Sequence, residues 1–362
     1  MDENSLKHPG ESRVVEPALN PLGAPAEAVA AANPDTISTG PEMAIAEADV
    51  RSAEQGEFVK GTSLWKDAWR RLLKNKLALF GLIVVVLVTL ASIVGPTLIK
   101  MTWGFTPDYV PTDNVELVKS FPPFTGPDGK FSWTHPMGTD NLGRDQLARV
   151  LQGGQISLFV GIISTPVSLL IGVSYGAIAG YVGGRTDSIM MRLVDVLYSL
   201  PYVILVIVLL SMFRSQTPRG QLTLLFVAIG SVSWLTMARI VRGQVLSLKN
   251  QEFVLAARAT GVTVPRIIFR HLVPNTLGPV VVYATLTIPQ IMLTEAFLSF
   301  LGFGVQPPLA SWGSLAADGV QNIGIFPWQL IFPGVTMALT LFSLNFLGDG
   351  LRDALDPQMR KV

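Results

Sequence analysis

The chain has 362 residues and a formal net charge of +1, yet only 15% of its residues are charged against 49% hydrophobic, and its mean hydropathy is +0.45. A typical globular domain is roughly 25% charged, so an all-round water-solvated surface is excluded and an integral membrane protein is the class that remains. Zero Cys removes disulfides, thiolate chemistry and Cys-ligated metals, and the three His (His8, His135, His271), far apart and without close acidic neighbours in sequence, argue against a His-ligated centre.

The near-zero charge hides a partition. Residues 1–60 hold eleven acids against four bases, a charge of −7, so the remainder carries +8. With six prolines and Phe58 as its one aromatic residue, this stretch is predicted to be a disordered acidic tail, because it cannot bury enough apolar area to offset chain entropy. No basic segment followed by an apolar run lies near Met1, so a secretory signal is not expected there.

A helix crosses the hydrocarbon core in about 20 apolar residues. Six intervals are long enough: Leu77 to Ile99, Val150 to Gly184 with its core from Ile156 to Ala179, Val196 to Phe213, Gln221 to Ala238, Thr276 to Phe300, and Trp328 to Leu347. An even number places both termini on one side. Counted with the termini inside, the inner segments hold sixteen Lys and Arg against seven in the outer ones, so the termini are predicted to be cytoplasmic. Trp65 and Trp69 at the inner entrance, and Trp103 and Trp328 at outer ends, suit interfacial positions. Pro166, Pro201, Pro289 and Pro333 lie within or beside spans, and Gly161, Gly172, Gly176 and Gly180 recur along the second, a pattern that predicts close helix packing.

Between the first two spans lies a polar external loop, in which Gly138-Thr139-Asp140 is expected to cap a short surface helix containing Leu142, Asp145 and Arg149. Arg192 and Asp195 at the inner start of the third span read as a local ion pair. Glu295, about 20 residues along the fifth, either lines a transport pathway or braces the turn into Gly302 as a packed structural acid.

The most informative stretch is Arg239 to Pro274, between the fourth and fifth spans, with six bases against Glu252. Phe253, Ala256, Ala257 and Thr260 recur at helical spacing, and Gly261 stops that helix where a left-handed residue is wanted. Thr263 is placed to cap a second helix with Pro265 in its first turn, which carries Arg266, Ile267 and Arg270 and ends at Pro274. Two short amphipathic helices joined at a glycine describe a docking element, whose alanines let a partner approach the backbone.

Ala256-Ala257-Arg258-Ala-Thr-Gly261, with His271-Leu-Val-Pro274 nine residues later, resembles the EAA loop of ABC-importer permeases. Glu252-Phe253-Val254, Arg266-Ile-Ile and Arg270-His271-Leu-Val-Pro274-Asn resemble the C-type subunit of the dipeptide/oligopeptide branch. So do His135-Pro-Met-Gly138-Thr139-Asp140, Leu293-Thr-Glu295-Ala-Phe-Leu-Ser-Phe-Leu-Gly302, Ser311-Trp312-Gly313 and Asn345-Phe-Leu-Gly-Asp349-Gly-Leu-Arg352-Asp353. Leu255 stands where the loop's eponymous Glu falls, so the ion pair which that acid can offer is absent.

The resemblance covers about Leu77 to Arg360. It implies an all-α membrane fold, the six-transmembrane-helix type I ABC-importer permease fold: a cytoplasmic entrance segment, first helix (77–99) and external loop over 61–154, a type I permease domain over 155–350 with its EAA loop at 245–275, and a cytoplasmic tail at 351–362. Implied as well are a bacterial cytoplasmic-membrane location, a second (B-type) permease subunit, two cytoplasmic ABC ATPase subunits and an extracytoplasmic substrate-binding protein. Glu252, Phe253, Ala256, Ala257, Arg258, Gly261, Pro265, Arg266, Arg270, His271 and Pro274 would couple to the ATPases. No Gly-x-x-x-x-Gly-Lys-Ser/Thr pattern occurs, so this chain is expected to hold no cofactor, with ATP and Mg bound by the partners. No nucleic acid is expected. The implied cargo is a dipeptide or oligopeptide; nickel or another small solute is the alternative, and a secondary transporter driven by an ion gradient is the rival class.

Overall fold

A computed structural model of the chain describes residues 64–111, 119–126, 128–213 and 215–355. The acidic tail and the C-terminal residues 356–362 lie outside the described residues.

The described residues form helices joined by turns. The first, α1 (Leu64–Lys74), has Asp67 in its first turn and Arg71 and Lys74 in its last, which suits the helix dipole. Asn75 breaks it and caps the next, its Oδ1 accepting from the backbone N–H groups of Leu77 at 3.1 Å and Ala78 at 3.3 Å. The span α2 (Lys76–Trp103) points many apolar side chains outward, among them Leu77, Ile83, Leu87 and Leu98, as a lipid-facing helix does. Ala68, Leu72 and Ala78 cluster with Ala354, so the two ends of the described chain meet.

The longest contact joins α3 (Gln146–Val182) to α6 (Pro218–Leu248). Gly172, Gly176 and Gly180, one turn apart, form the seam. A Cβ at Gly172 would lie 2.7 Å from Met237 Cβ, one at Gly180 would lie 2.9 Å from the Arg242 carbonyl oxygen, and one at Gly176 would collide with the Ala238 carbonyl. Small residues at this spacing are what lets two backbones touch in a medium that supplies no hydrophobic drive of its own. The close packing expected of these glycines is therefore present.

The third span departs from the expectation of one helix over Val196 to Phe213. It is a broken pair, α4 (Gly184–Ser199) and α5 (Tyr202–Met212), bent by 88°. Pro201 has no N–H to give and drives the residue before it out of the helical region; Leu200 sits at φ −80°, ψ 138°. Among the described residues five helices are long and apolar enough to span, and the bent pair, counted as one span, makes six.

The fourth span also exceeds its expected end. α6 continues ten residues past Ala238 to Leu248, because Arg239 and Arg242 pair with α4 instead of breaking into a loop: Arg239 Nη2 lies 2.7 Å from Asp195, and Arg242 Nε and Nη2 grip Asp187 at 2.5 and 2.6 Å. Asp195 thus pairs across helices and not with Arg192, one turn away on its own helix.

After α7 (Glu252–Ala259) comes α8 (Val264–Phe300), a 37-residue helix. The short helix expected to end at Pro274 does not end there. Residues Ile267–Leu272 form a π turn, and the Val273 N–H bonds back to the Ile268 carbonyl. That widened turn moves aside the carbonyl a proline ring would strike, so the chain passes through Pro274 into the membrane without a break.

Ser311 opens α9 (Trp312–Gln321) by a reciprocal cap with Ser314, and α10 (Trp328–Leu355) closes the bundle. The apolar core lies where α4, α5, α6 and α8 meet, around Val194, Val206, Ile229 and Ile291.

The expected short helix after Gly138 is absent. Asp140 folds this stretch as a turn, accepting from the N–H groups of Leu142 at 2.9 Å and Arg144 at 3.0 Å and pairing with the guanidinium groups of Arg144 and Arg149. Asp145 caps α3 instead, accepting from the Ala148 N–H at 2.7 Å, and its other oxygen lies 2.8 Å from His135 Nδ1. The His135 that lacks acidic neighbours in sequence has one in space, though no group of three or more possible metal ligands occurs among the described residues.

Candidate coupling site

The element singled out by the sequence is a helix and a helix start seated on the ends of α3 and α6. Val254, Ile267, Ile268 and Leu272 are buried, with Ala257, against Ala177, Val241 and Val245. Each aliphatic side chain so buried contributes about 1.5–3 kcal/mol, which is ample to hold eight residues of helix in place. The turn after α7 is equally determined. Gly261 adopts φ +75°, its N–H bonds to the Arg258 carbonyl at 3.0 Å, and the Val262 N–H reaches back to the Ala257 carbonyl at 3.1 Å. These are the two bonds of a Schellman cap, so Gly261 stops the helix as its sequence position predicts. Thr263 occupies the cap position of α8, but its side chain makes no capping bond; Pro265 lies in the first turn as expected.

On the outer face Glu252, Phe253, Ala256, Arg258, Pro265, Arg266, Arg270 and Pro274 are exposed, and His271 is half-buried. Ala257 is not on that face. It turns inward to the chain's own core, because Ala256 and Ala257 are 100° apart on a helix and only one of them can look outward. The face also carries Leu255, Val264 and Phe269, each about half exposed. Arg258 is held by Tyr181, whose hydroxyl accepts from Nε at 3.2 Å and whose ring lies 5.0 Å from the guanidinium carbon. Arg266 and Arg270 project from one side of α8, four residues apart. The surface is thus apolar and cationic, and Leu255 lends it bulk where an acid would have lent charge. Tyr181 and Phe269 went unnoticed in sequence; an aromatic residue one turn from a helix end is the signal that marks them.

Glu295 is elsewhere. It is fully buried in α8 and accepts from Ser299 Oγ at 2.6 Å and Ser157 Oγ at 3.1 Å. Ser157 in turn accepts from the Trp312 N–H, and Ser299 from the Val305 N–H. The side chain therefore joins α3, the turn after α8 and the start of α9, the contacts of a packed acid.

Residues 172–361 match the family model described as binding-protein-dependent transport system inner membrane component, and residues 63–119 match that of the N-terminal transmembrane domain of oligopeptide transport permease C. The chain is 46% identical over 302 residues to the oligopeptide transport system permease protein OppC of Bacillus subtilis, spanning 83% of this chain and 92% of that one. It is 48% identical over 302 residues to OppC of Escherichia coli K12, spanning 83% and 94%. The dipeptide transport system permease protein DppC of Bacillus subtilis is 45% identical over 311 residues, spanning 85% and 90%.

Proposed function

The chain belongs to the family of binding-protein-dependent transport system inner membrane components, multi-pass membrane permeases and not ATPases, and we propose that it is the C-type permease subunit of an ATP-driven importer of oligopeptides or dipeptides. The observation that carries this reading is the exposed face of α7 and the start of α8, rigidly seated by its buried side and free on the other. A surface of that kind transmits force: a partner that grips it moves α3, α6 and α8 together.

The partners are two ABC ATPase subunits, one of them docked on this face, a B-type permease subunit beside the bundle and an external binding protein that delivers the peptide. ATP and Mg are bound by the ATPases. The excess of Lys and Arg at the end of the bundle bearing α1 and α7 supports a cytoplasmic location for both termini. ATP-driven closure of the ATPases shifts the permease between its orientations only through contacts that differ between them, and Phe253, Ala256, Arg258, Arg266 and Arg270 are placed to make those contacts.

The test is uptake of a labelled tripeptide into vesicles carrying the reconstituted transporter. Uptake that requires ATP, the ATPases and the binding protein is expected. Uptake that continues without the ATPases under an ion gradient would overturn the reading in favour of a secondary transporter.

A further inference from the structure

At the bend between α4 and α5 a groove of about 490 Å³ opens among the end of α4, the start of α5, α6 and α8. It lies at membrane depth: Gln290, on its wall, is ten residues from the Phe300 end of α8, about 15 Å, and far from the other end. No charged residue lines it. Arg239, standing 4.2 Å from the ring centroid of Tyr198 at its margin, is paired with Asp195.

Four hydroxyls of this wall have spent their protons on their own helices. Ser199 donates to the Val196 carbonyl at 2.7 Å, Ser233 to Ile229 at 2.7 Å, Thr287 to Tyr283 at 2.8 Å and Thr294 to Gln290 at 2.9 Å. With Ser233 so committed, Tyr202, 2.9 Å away, donates to it. What these groups turn to the groove is acceptor lone pairs. Gln290 is the exception: it is exposed, its carboxamide has no hydrogen-bond partner among the described residues, and it alone among the lining side chains offers both an N–H donor and a carbonyl. An unpaired amide facing hydrocarbon costs several kcal/mol, so Gln290 faces a polar medium.

We propose that this groove is the stretch of the transport path contributed by this subunit, and that Gln290 is its specificity-determining residue, selecting solutes by the N–H donors and carbonyl acceptors that a peptide backbone has. The inference rests on the permease reading. These acceptors, with no carboxylate among the lining residues, hold an N–H-bearing solute by exchangeable bonds and give no fixed charge for it to stick to. Gln290 pairs with the amide unit, and the bend at Leu200-Pro201 keeps the groove open by turning α4 aside.

The chain has no cysteine, so one placed at Gln290 is the sole thiol of this subunit. In the complete transporter in liposomes, Gln290→Cys is expected to react with a charged, water-borne methanethiosulfonate, and trialanine delivered by the binding protein is expected to slow that reaction. Leu170→Cys, exposed on α3 outside the groove lining, is expected not to react. Gln290→Leu is expected to lower trialanine uptake roughly tenfold, the worth of one lost hydrogen bond of about 1.4 kcal/mol, with the dependence on binding-protein concentration unchanged. Gln290→Glu is expected to favour trilysine over trialanine by a similar factor. A cysteine at 290 that is never labelled in any nucleotide state, or a Leu variant that transports both peptides like the parent, overturns the proposal. ATP-dependent trialanine uptake by the parent protein in the same vesicles is the separate check on the permease reading itself.

Discussion

Substituting Gly261 isolates the backbone of the coupling element from its contacts. A Cβ built there meets no atom within 4 Å, while φ is +75°, so the whole cost of a side chain is conformational. For an ordinary L-residue the left-handed region costs about 1–2 kcal/mol; Asn tolerates it best, and a β-branched residue least. At about 1.4 kcal/mol per tenfold, Gly261→Val should lower the population of the observed turn by a factor of about five to thirty. The strain has an easy outlet, since breaking the two cap bonds from Gly261 and Val262 lets the α7–α8 junction swing. Insertion should be intact, because no buried contact is touched. We therefore expect Gly261→Val to reach the membrane at normal levels, to retain basal ATP hydrolysis by the assembled complex, and to take up peptide about tenfold more slowly, with Gly261→Ala intermediate and Gly261→Asn close to the parent. The assay is tripeptide uptake and ATP hydrolysis measured on the same proteoliposomes. Equal loss in the Asn and Val variants would refute the reasoning, since it would trace the effect to the side chain's presence and not to φ; normal transport by Gly261→Val would refute it as well.

Glu295→Gln leaves one of the two serines without its acceptor, so we expect a loss of about 1–3 kcal/mol, seen as a lower melting temperature in detergent, with uptake per folded transporter unchanged; lost uptake at unchanged melting temperature would assign Glu295 to the pathway. Gly176→Leu, driven into the Ala238 carbonyl, should abolish accumulation in the membrane on immunoblots, whereas Gly243→Ala, with no atom within 4 Å of its Cβ, should accumulate normally. A double-mutant cycle on Asp187 and Arg242 should return a coupling of about 1 kcal/mol in thermal unfolding, since the pair is well aligned but partly exposed. Reversing charge at Arg266 and Arg270 together should lower co-purification of the ATPases with this subunit while leaving its own melting temperature unchanged.

Hydropathy placed the membrane helices because a lipid core demands apolar length and little else, and Gly261 was legible because a helix stop has few chemical solutions. The features that escaped are those set by partners distant in sequence or by rare backbone states. Asp187 and Arg242 are 55 residues apart, and Asp195 and Arg239 are 44 apart; nothing local tells Asp195 to ignore Arg192. Pro201 and Pro274 show the limit from the other side. Both are prolines in apolar or amphipathic helical patterns, yet one bends the chain by 88° and the other is absorbed by a π turn. The difference lies in the preceding backbone, where Leu200 is extended and Val273 helical, and no residue type signals it. Ala257 was misplaced for a simpler reason: adjacent alanines are equivalent until the core against which one of them packs is known.

The π turn has a consequence for how the two functional surfaces communicate. Had the chain broken at Pro274, the helix start bearing Pro265 and Arg266 would be hinged to the membrane, and motion at its tip would be lost in the joint. Instead Arg266, Tyr283 and Gln290 belong to one helix of 37 residues, about 55 Å long. A rigid rod turned at one end must move at the other: a 10° tilt about the Ile267–Leu272 turn displaces Gln290, some 27 Å farther along, by about 5 Å. That displacement is across the helix axis, enough to widen or narrow the groove on whose wall Gln290 stands.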